Sequence, residues 1–210
     1  MNNYFLKRNS INLDITTKCT LACSKCLREY NLSKGRSIQG KTLSISEYKK
    51  IIAFFDTIIF SGQISDPVLH PKFDEFLKLA YLNGNNVEIR TSVSHKPIKW
   101  YIDKAFPANP NATWVFGIDG LPKDSHKYRI RQNGEKLFEI MKLGQKSGIN
   151  VIWSCIIMSY NENNIDKIKK IAADNKITLE LVKSSRWFNN DPFKPKNPKN
   201  YSEGVWRFNV

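Results

Sequence analysis

The chain has 210 residues, 41% of them hydrophobic, and its 33 Lys and Arg outnumber its 19 Asp and Glu to leave a formal net charge of +14. This length suits one ordinary domain with a real core and argues against a second full domain. The longest apolar stretch, 51–60, is interrupted by Asp56 and is far shorter than the roughly 20 residues of a membrane helix. The N-terminus shows no signal-peptide pattern. We therefore expect a soluble cytoplasmic protein that does not enter a membrane.

The positive charge bears on the kind of partner. It favours an anionic one, such as nucleic acid, a nucleotide or an acidic protein surface. The basic residues are spread along the chain, however, and a solvated basic surface explains them equally well.

Strand and helix patterns alternate along the chain. Alternating apolar residues at 11–15 predict a first strand. Ser44 and Glu47 have the spacing of a capping box and begin a predicted helix over about 45–55. Further strands are predicted at 57–60, 87–91, 113–116, 151–158 and 177–182, and further helices around 73–80, 97–105, 137–141 and 161–172.

This alternation predicts the fold class. Strands separated by helices favour successive right-handed βα units on a parallel sheet. Six units make an incomplete barrel, so we expect an α/β protein with a partial (β/α)6 TIM-type barrel over 1–183. The loops at the carboxyl ends of its strands would form the active site.

The segment 184–210 breaks the pattern and predicts a basic, Pro-rich C-terminal extension. Its interleaved aromatic and basic side chains suit stacking and phosphate contacts in single-stranded nucleic acid or another anionic ligand. Alternatively, the extension is a strap that packs on the open edge of the barrel or lines the substrate site. The residues that prompt these two interpretations are Lys183, Arg186, Trp187, Phe188, Lys194, Lys196, Lys199, Trp206 and Arg207.

Three of the four cysteines, Cys19, Cys23 and Cys26, lie on the loop after the first predicted strand. A chain without an export signal is not expected to contain a disulfide framework. Thiolates are the preferred ligands of iron-sulfur clusters, and three of them leave one iron of a cubane open to a small molecule. The alternative is a zinc site completed by Cys155 or a histidine.

The Cys-x3-Cys-x2-Cys spacing on this loop resembles the radical SAM superfamily. The resemblance implies a 4Fe-4S cluster that binds S-adenosylmethionine (SAM) at its open iron and cleaves it to a 5′-deoxyadenosyl radical, which abstracts hydrogen from a substrate. It also implies an external electron donor of the flavodoxin or ferredoxin kind. One residue departs from the family pattern: Lys25 stands where the family usually has an aromatic residue near the adenine. Leu27 or Tyr30 could take over that contact.

The segment 62–71 is similar to the glycine-rich motif with which the family receives the methionine ammonium. The resemblance implies cofactor contacts for Gly62, Gln63, Ser65 and Asp66. A carboxylate beside a fixed cation is favourable, so we expect Asp66 to orient either the ammonium or the loop. Without the resemblance, the segment is a turn that leads into a helix.

The third predicted strand ends in a hydroxyl-rich loop. Thr91, Ser92 and Ser94 stand where family members bind the ribose or the methionine carboxylate, and hydroxyls can both donate and accept hydrogen bonds. Serine-rich loops are also common without any such role.

After the fourth predicted strand, 116–120 is similar to a family motif of serine, an aliphatic residue, aspartate and glycine. The resemblance implies a cofactor contact for Asp119, whereas Gly117 replaces the usual serine and removes its hydroxyl. Arg129 or Arg131 could pair with the cofactor carboxylate as a fork. Both arginines could equally be solvated loop residues.

No residue identifies the substrate, and the open barrel suits an anionic or macromolecular one such as a peptide, RNA or a nucleotide. Cys155 is a weak catalytic candidate that we expect to be a core thiol, and we expect His95 to make a loop contact or face solvent. Two other functions remain open. One is a non-catalytic nucleic-acid-binding protein stabilised by zinc or a cluster, and the other is a family member that binds the cofactor without reacting.

Overall fold

The computed structural model of the protein describes residues 8–188 and 190–203. Six strands form one sheet in the order β1 to β6, and each neighbouring pair is parallel. Within the described residues the sheet does not close, so β1 and β6 are its edges. The predicted α/β class with a partial TIM-type barrel is thereby confirmed. The strands are β1 Arg8–Asn12, β2 Phe55–Phe60, β3 Asn86–Thr91, β4 Thr113–Gly117, β5 Asn150–Ile156 and β6 Thr178–Val182.

Helices follow the strands as the alternation predicts. The longer ones are α1 Leu27–Ser33, α2 Ile45–Ile52, α3 Phe73–Leu82, α4 Gly134–Lys146 and α5 Ile165–Asp174. The predicted helix around 97–105 is a helical run with a π turn at its centre, and it comprises Ile98–Trp100, Tyr101–Ala105 and Phe106–Ala108. Short 3-10 turns occur at Pro67–Leu69, Pro122–Lys127, Glu162–Asn164 and Pro198–Asn200. Among the described residues, no helix has the length and apolar character that a membrane crossing requires.

The start of α2 follows from its sequence. Ser44 Oγ accepts a hydrogen bond from the Glu47 N–H, and the Glu47 carboxylate accepts one from the Ser44 N–H, so the predicted capping box is present. Tyr48 and Ile52 are buried one turn apart, and the Tyr48 ring stacks on Phe76 at 4.2 Å between centroids. The helix ends before position 55 because β2 begins at Phe55.

The first strand lies earlier than its apolar alternation predicts. β1 ends at Asn12, and beyond it the Leu13 N–H still donates to the Ile59 carbonyl at 2.8 Å. Ile15 is fully buried although it lies in the following loop, where its carbonyl accepts the Leu43 N–H. The buried loop residue Ile15 thus continued the alternation of apolar residues beyond Asn12, where the strand ends. The loop that carries the three cysteines, here called the cysteine loop, therefore spans 13–26.

Helix α1 was not predicted. It has seven residues, none of them buried, and no side chain caps its N-terminus. A short helix that buries no face and has no capping residue cannot be recognised from the periodicity of apolar residues.

Among the described residues, two hydrophobic clusters hold the fold together. The larger one fills the space between the sheet and its helices, with Trp114 and Trp153 among its largest buried side chains. The smaller one joins Tyr128 and Met158 to Trp187, which lies beyond β6. We refer to the described residues 184–188 and 190–203 as the strap. Trp206 and Arg207, which the sequence groups with this extension, lie outside the described residues.

Candidate active site

The three clustered cysteines lie on one loop at the carboxyl end of β1, and all three are half-buried. The Cys26 N–H donates to the Cys23 carbonyl at 3.0 Å, and Cys26 is also the N-cap residue of α1, where its carbonyl accepts the Tyr30 N–H. The second and third cysteines are therefore held by a tight turn that leads directly into a helix.

Neighbouring loops fix the cysteine loop through its backbone. The Ala22 N–H donates to the Ile130 carbonyl at 3.1 Å and the Ser24 N–H to the Tyr128 carbonyl at 3.2 Å. On the other side, the Lys18 carbonyl accepts the backbone N–H of Asp66 at 3.0 Å. The loops after β2 and β4 thus both support the cysteines.

The electrostatics of these thiols bear on what they can bind. Burial raises the pKa of Cys19 to about 12, against an opposing hydrogen bond from the Leu21 N–H. Burial also raises the pKa of Cys23 to about 11, although the charge of Arg129 opposes it. Because a metal binds the thiolate, loading this site releases protons.

The chemistry of the donor set is that of an iron-sulfur site, because it consists of three thiols on one loop. Within the described ranges, no three His, Cys, Asp or Glu side chains are grouped to hold one metal ion, as a tetrahedral zinc site requires. In a cubane cluster each thiolate binds a different iron, so its three cysteines do not need to converge on one point. Three thiols on one loop are therefore a donor set that such a cluster could use.

The loop after β2, residues 61–66, is here called the glycine loop. Its conformation depends on Gly62 and on hydrogen bonds to Asp14, which lies outside the loop. Gly62 has φ +54°, and a Cβ added there would lie 2.3 Å from the Ser65 carbonyl oxygen. The carboxylate of Asp14 accepts the Gln63 N–H at 3.0 Å and the Ser65 hydroxyl at 2.7 Å. Asp14 was not among the candidate residues, and its position just after β1 was the available signal.

Asp66 joins the glycine loop to the loop after β3. Its buried carboxylate accepts four hydrogen bonds, at 2.8 Å from the Thr91 hydroxyl and the Ser92 N–H and at 3.2 Å from the Val68 and Val93 N–H groups. Burial raises the pKa of Asp66, and these donors oppose that effect. The carboxylate is thus engaged by the protein itself, and it orients the two loops.

Asp119 and Arg129 form a buried ion pair behind the cysteines. The Arg129 Nε and the Asp119 Oδ2 are 2.8 Å apart, and Asp119 Oδ1 also accepts the Ile156 N–H at 2.8 Å. The Nη1 of Arg129 donates to the Ser92 hydroxyl at 2.7 Å. Burial lowers the pKa of Arg129, but the charge of Asp119, together with those of Cys23 and Tyr128 and the hydrogen bond to Asp119, outweighs burial and raises the pKa overall. The guanidinium is therefore held between the loops after β3 and β4.

The glycine that replaces the family serine stands where no side chain fits. A Cβ on Gly117 would lie 2.5 Å from the Ser92 hydroxyl oxygen and 2.8 Å from the Arg129 Nη2. Nearby, the Gln132 amide donates to the carbonyls of Ser92 and Gly117, at 2.6 and 2.8 Å. Arg129 and Ser92 thus occupy the space of the expected serine. Sequence reasoning missed Gln132, for which the pattern contains no signal.

Other candidate residues have structural contacts or lie apart. Ser94 is buried, and its hydroxyl accepts the N–H of Asn133, the N-cap residue of α4. Cys155 is 1% exposed, and its sulfur accepts the Gly120 N–H at 3.2 Å, so it is a core thiol as expected. Arg131 and His95 are exposed and do not join the network.

A cavity of about 850 Å³ lies between the cysteine loop, α1 and the strap. Cys23 and Cys26 line it from the loop, Tyr30 and Arg36 from the region of α1, and Phe188 from the strap. A ligand in this cavity would lie beside Cys23 and Cys26.

Solved structures with a similar fold were found. SuiB of Streptococcus suis bound to S-adenosylmethionine has a TM-score of 0.69 and 12% identity, over 90% of this chain and 44% of SuiB. Native anSMEcpe with bound AdoMet and the Cp18Cys peptide has a TM-score of 0.65 and 13% identity, over 89% of this chain and 54% of that one. TYW1 with a lysine-pyruvate adduct has a TM-score of 0.60 and 13% identity, over 87% of this chain and 68% of that one.

The chain therefore has the fold of the radical SAM superfamily, and it spans about half the length of SuiB and anSMEcpe. No protein-family model matches its sequence, and no curated protein matches it.

Proposed function

We propose that this chain is a radical SAM enzyme in which Cys19, Cys23 and Cys26 hold a 4Fe-4S cluster. One observation carries the proposal: three half-buried thiols share one loop at the carboxyl end of an open parallel sheet. Proteins of this fold, SuiB and anSMEcpe, have been crystallised with S-adenosylmethionine. When bound, the cluster would supply one electron that breaks the carbon-sulfur bond of S-adenosylmethionine, giving methionine and the 5′-deoxyadenosyl radical.

The contacts of the loop residues suggest a division of roles. Asp66, Thr91 and Arg129 are engaged by other protein groups, so they would position the loops and leave cofactor contacts to their neighbours. The glycine loop is the best candidate for receiving the methionine ammonium, because Asp14 holds its backbone and Gln63 is exposed. Asp119 would act through Arg129, and the exposed Arg131 would be available to an anionic ligand.

We propose that the substrate is a peptide. We also propose that a flavodoxin- or ferredoxin-like donor reduces the cluster. SuiB has been crystallised with the precursor peptide SuiA and anSMEcpe with the Cp18Cys peptide. The open sheet and the cavity beside Cys23 and Cys26 give a large ligand room to approach. RNA or a nucleotide would be the substrate if the basic surface, with its charge of +14, governed recognition.

Anaerobic reconstitution tests the enzyme proposal. We expect roughly four irons per chain and release of 5′-deoxyadenosine when a reductant and S-adenosylmethionine are added. Cys23→Ala should lose both iron and cleavage, whereas Cys155→Ala, which removes a core thiol, should keep its iron. A colourless protein with a single zinc ion would instead support the zinc-stabilised alternative. Iron content unchanged in Cys23→Ala would refute the ligand assignment.

A further inference from the structure

Lys25 lies between the second and third cysteines, and its ammonium pairs with the Asp191 carboxylate of the strap. The Lys25 side chain is 13% exposed and that of Asp191 is fully buried. A buried carboxylate is costly unless it is paired, and removing one partner leaves the other charge uncompensated. The pair therefore constrains both the cysteine loop and the strap.

The strap is itself ordered around Asp191. Asp191 Oδ1 accepts the Phe193 N–H at 3.0 Å, and the Asp191 N–H donates to the Phe188 carbonyl at 3.3 Å. These two bonds hold Asp191 from within the strap. The counter-charge of Lys25 thus comes from a residue that the strap itself also positions.

Aromatic and apolar contacts reinforce this junction. The Lys25 ammonium lies 3.9 Å from the centroid of the Phe188 ring and 5.8 Å from that of Trp187. Cys23 packs against the small cluster to which Trp187 and Tyr128 belong. Cys23, a proposed ligand of the iron-sulfur cluster, and the strap are therefore also joined by a hydrophobic contact beside the ion pair.

We propose that Lys25 and Asp191 are a positioning pair through which the strap holds the cysteine loop in shape around the cluster. The pair acts through Cys23 and Cys26, between which Lys25 lies, and it sets the local charge that the cluster experiences. This inference rests on the proposed function, since the cluster is what the pair would position.

Midpoint potentials of the reconstituted cluster test the electrostatic part. Lys25→Met leaves a net negative charge near the cluster, which opposes reduction, so the potential should fall. Asp191→Asn leaves a net positive charge, so the potential should rise. The double variant removes both charges and leaves none unpaired in the interior, so it should fold and return towards the wild-type potential. A purely structural role would not produce shifts of opposite sign.

One control variant keeps the positive charge at position 25, and another removes a lysine charge at a distant, exposed ion pair. Lys25→Arg preserves the positive charge and should keep the wild-type potential. Lys170→Met breaks an exposed pair with Asp174 on α5, where the charged atoms are 3.0 Å apart, and should change nothing. Single variants at Lys25 and Asp191 that shift the potential in the same direction, or leave it unchanged, would overturn the charge role.

A second measurement does not depend on iron. In the metal-free protein, a thiol-alkylating reagent should modify Cys23 and Cys26 several-fold faster in Lys25→Met than in the wild type, because the strap no longer holds their loop. Buried Cys155 serves as the internal control and should react at the same slow rate in both. Equal rates at Cys23 and Cys26 would overturn the positioning role. A wild-type protein that binds no iron would instead overturn the proposed function, and the alkylation rates would still decide whether the strap holds the loop.

Discussion

Gly117 has no side chain, and this leaves room for the side chains of Ser92 and Arg129 beside it. The family resemblance places a serine here, but the Arg129 guanidinium and the Ser92 hydroxyl already occupy the volume that a side chain would need. The same guanidinium neutralises the buried Asp119. A side chain at position 117 would therefore displace the Ser92 hydroxyl or the arginine that joins the loops after β3 and β4.

We predict that Gly117→Ser lowers the free energy of unfolding by about 1–3 kcal/mol, the usual cost of overpacking a filled interior. The backbone of Gly117 is not in the left-handed region, so the cost is steric. Urea denaturation measures it.

A double-mutant cycle provides the control for Gly117. Ser92→Ala removes the atom that the new Cβ would approach most closely, so the cost of Gly117→Ala should be smaller in that background. Additive effects of Gly117→Ala and Ser92→Ala would contradict the steric explanation.

Among the elements, the strap depends on the turn before α5 as well as on the cysteine loop. The Glu162 carboxylate accepts the N–H groups of Lys196 and Asn197 at 2.9 and 3.1 Å and the side-chain amide of Asn200 at 3.2 Å. The hydroxyl of Ser159 donates to the Pro192 carbonyl at 2.6 Å. One carboxylate thus anchors the last described turn of the chain.

Glu162 should make the attachment of the strap sensitive to acid. Partial burial raises its pKa, but the hydrogen bonds from Lys196, Asn197 and Asn200 outweigh this, and the pKa is lowered overall. The lowered pKa means that its stabilisation is fully present above the ordinary value of about 4.5 and is lost as the pH falls through the lower value of the folded state.

We therefore expect Glu162→Gln to be about 0.5–1 kcal/mol less stable than the wild type at neutral pH, an amount reduced by solvent exposure. The difference should disappear in acid, which unfolding curves at a series of pH values would show. Asp166→Asn on α5 is the matched control, because the Asp166 side chain is 98% exposed. A Glu162→Gln difference that persisted unchanged at low pH would argue against the anchor.

At the scale of the whole molecule, the net charge of +14 is large for 210 residues. Flavodoxin-like electron donors of acidic character would be attracted to such a surface, and dissolved salt screens attraction between exposed charges over a Debye length of about 10 Å at 0.1 M. The basic surface would then accelerate the encounter more than it strengthens the complex.

We predict that the rate at which an acidic flavodoxin reduces the cluster falls steeply as salt is added. Stopped-flow absorbance of the cluster measures that rate. Reduction by an uncharged photochemical reductant should respond little to salt and serves as the control. A donor rate that does not depend on ionic strength would mean that the surface charge plays no part in this encounter.

The sequence by itself determined the architecture and the cysteine motif. Hydrophobic periodicity reflects local backbone geometry, so the six strands, helices α2 to α5 and the capping box at Ser44 were predictable. The spacing of Cys19, Cys23 and Cys26 is equally local, since one loop carries all three. The extent of β1 was wrong because Ile15 is buried from a loop, and α1 was missed because it buries no side chain.

Only the tertiary structure decided which residues meet across the loops. Lys25 pairs with Asp191, and Asp66 accepts a hydrogen bond from Thr91. Arg129 fills the space beside Gly117. The members of each pair lie well apart in the chain. No periodicity encodes such pairs, because they depend on how the carboxyl ends of neighbouring strands bring separate loops together. The burial that makes each charge require a partner exists only once the chain has folded.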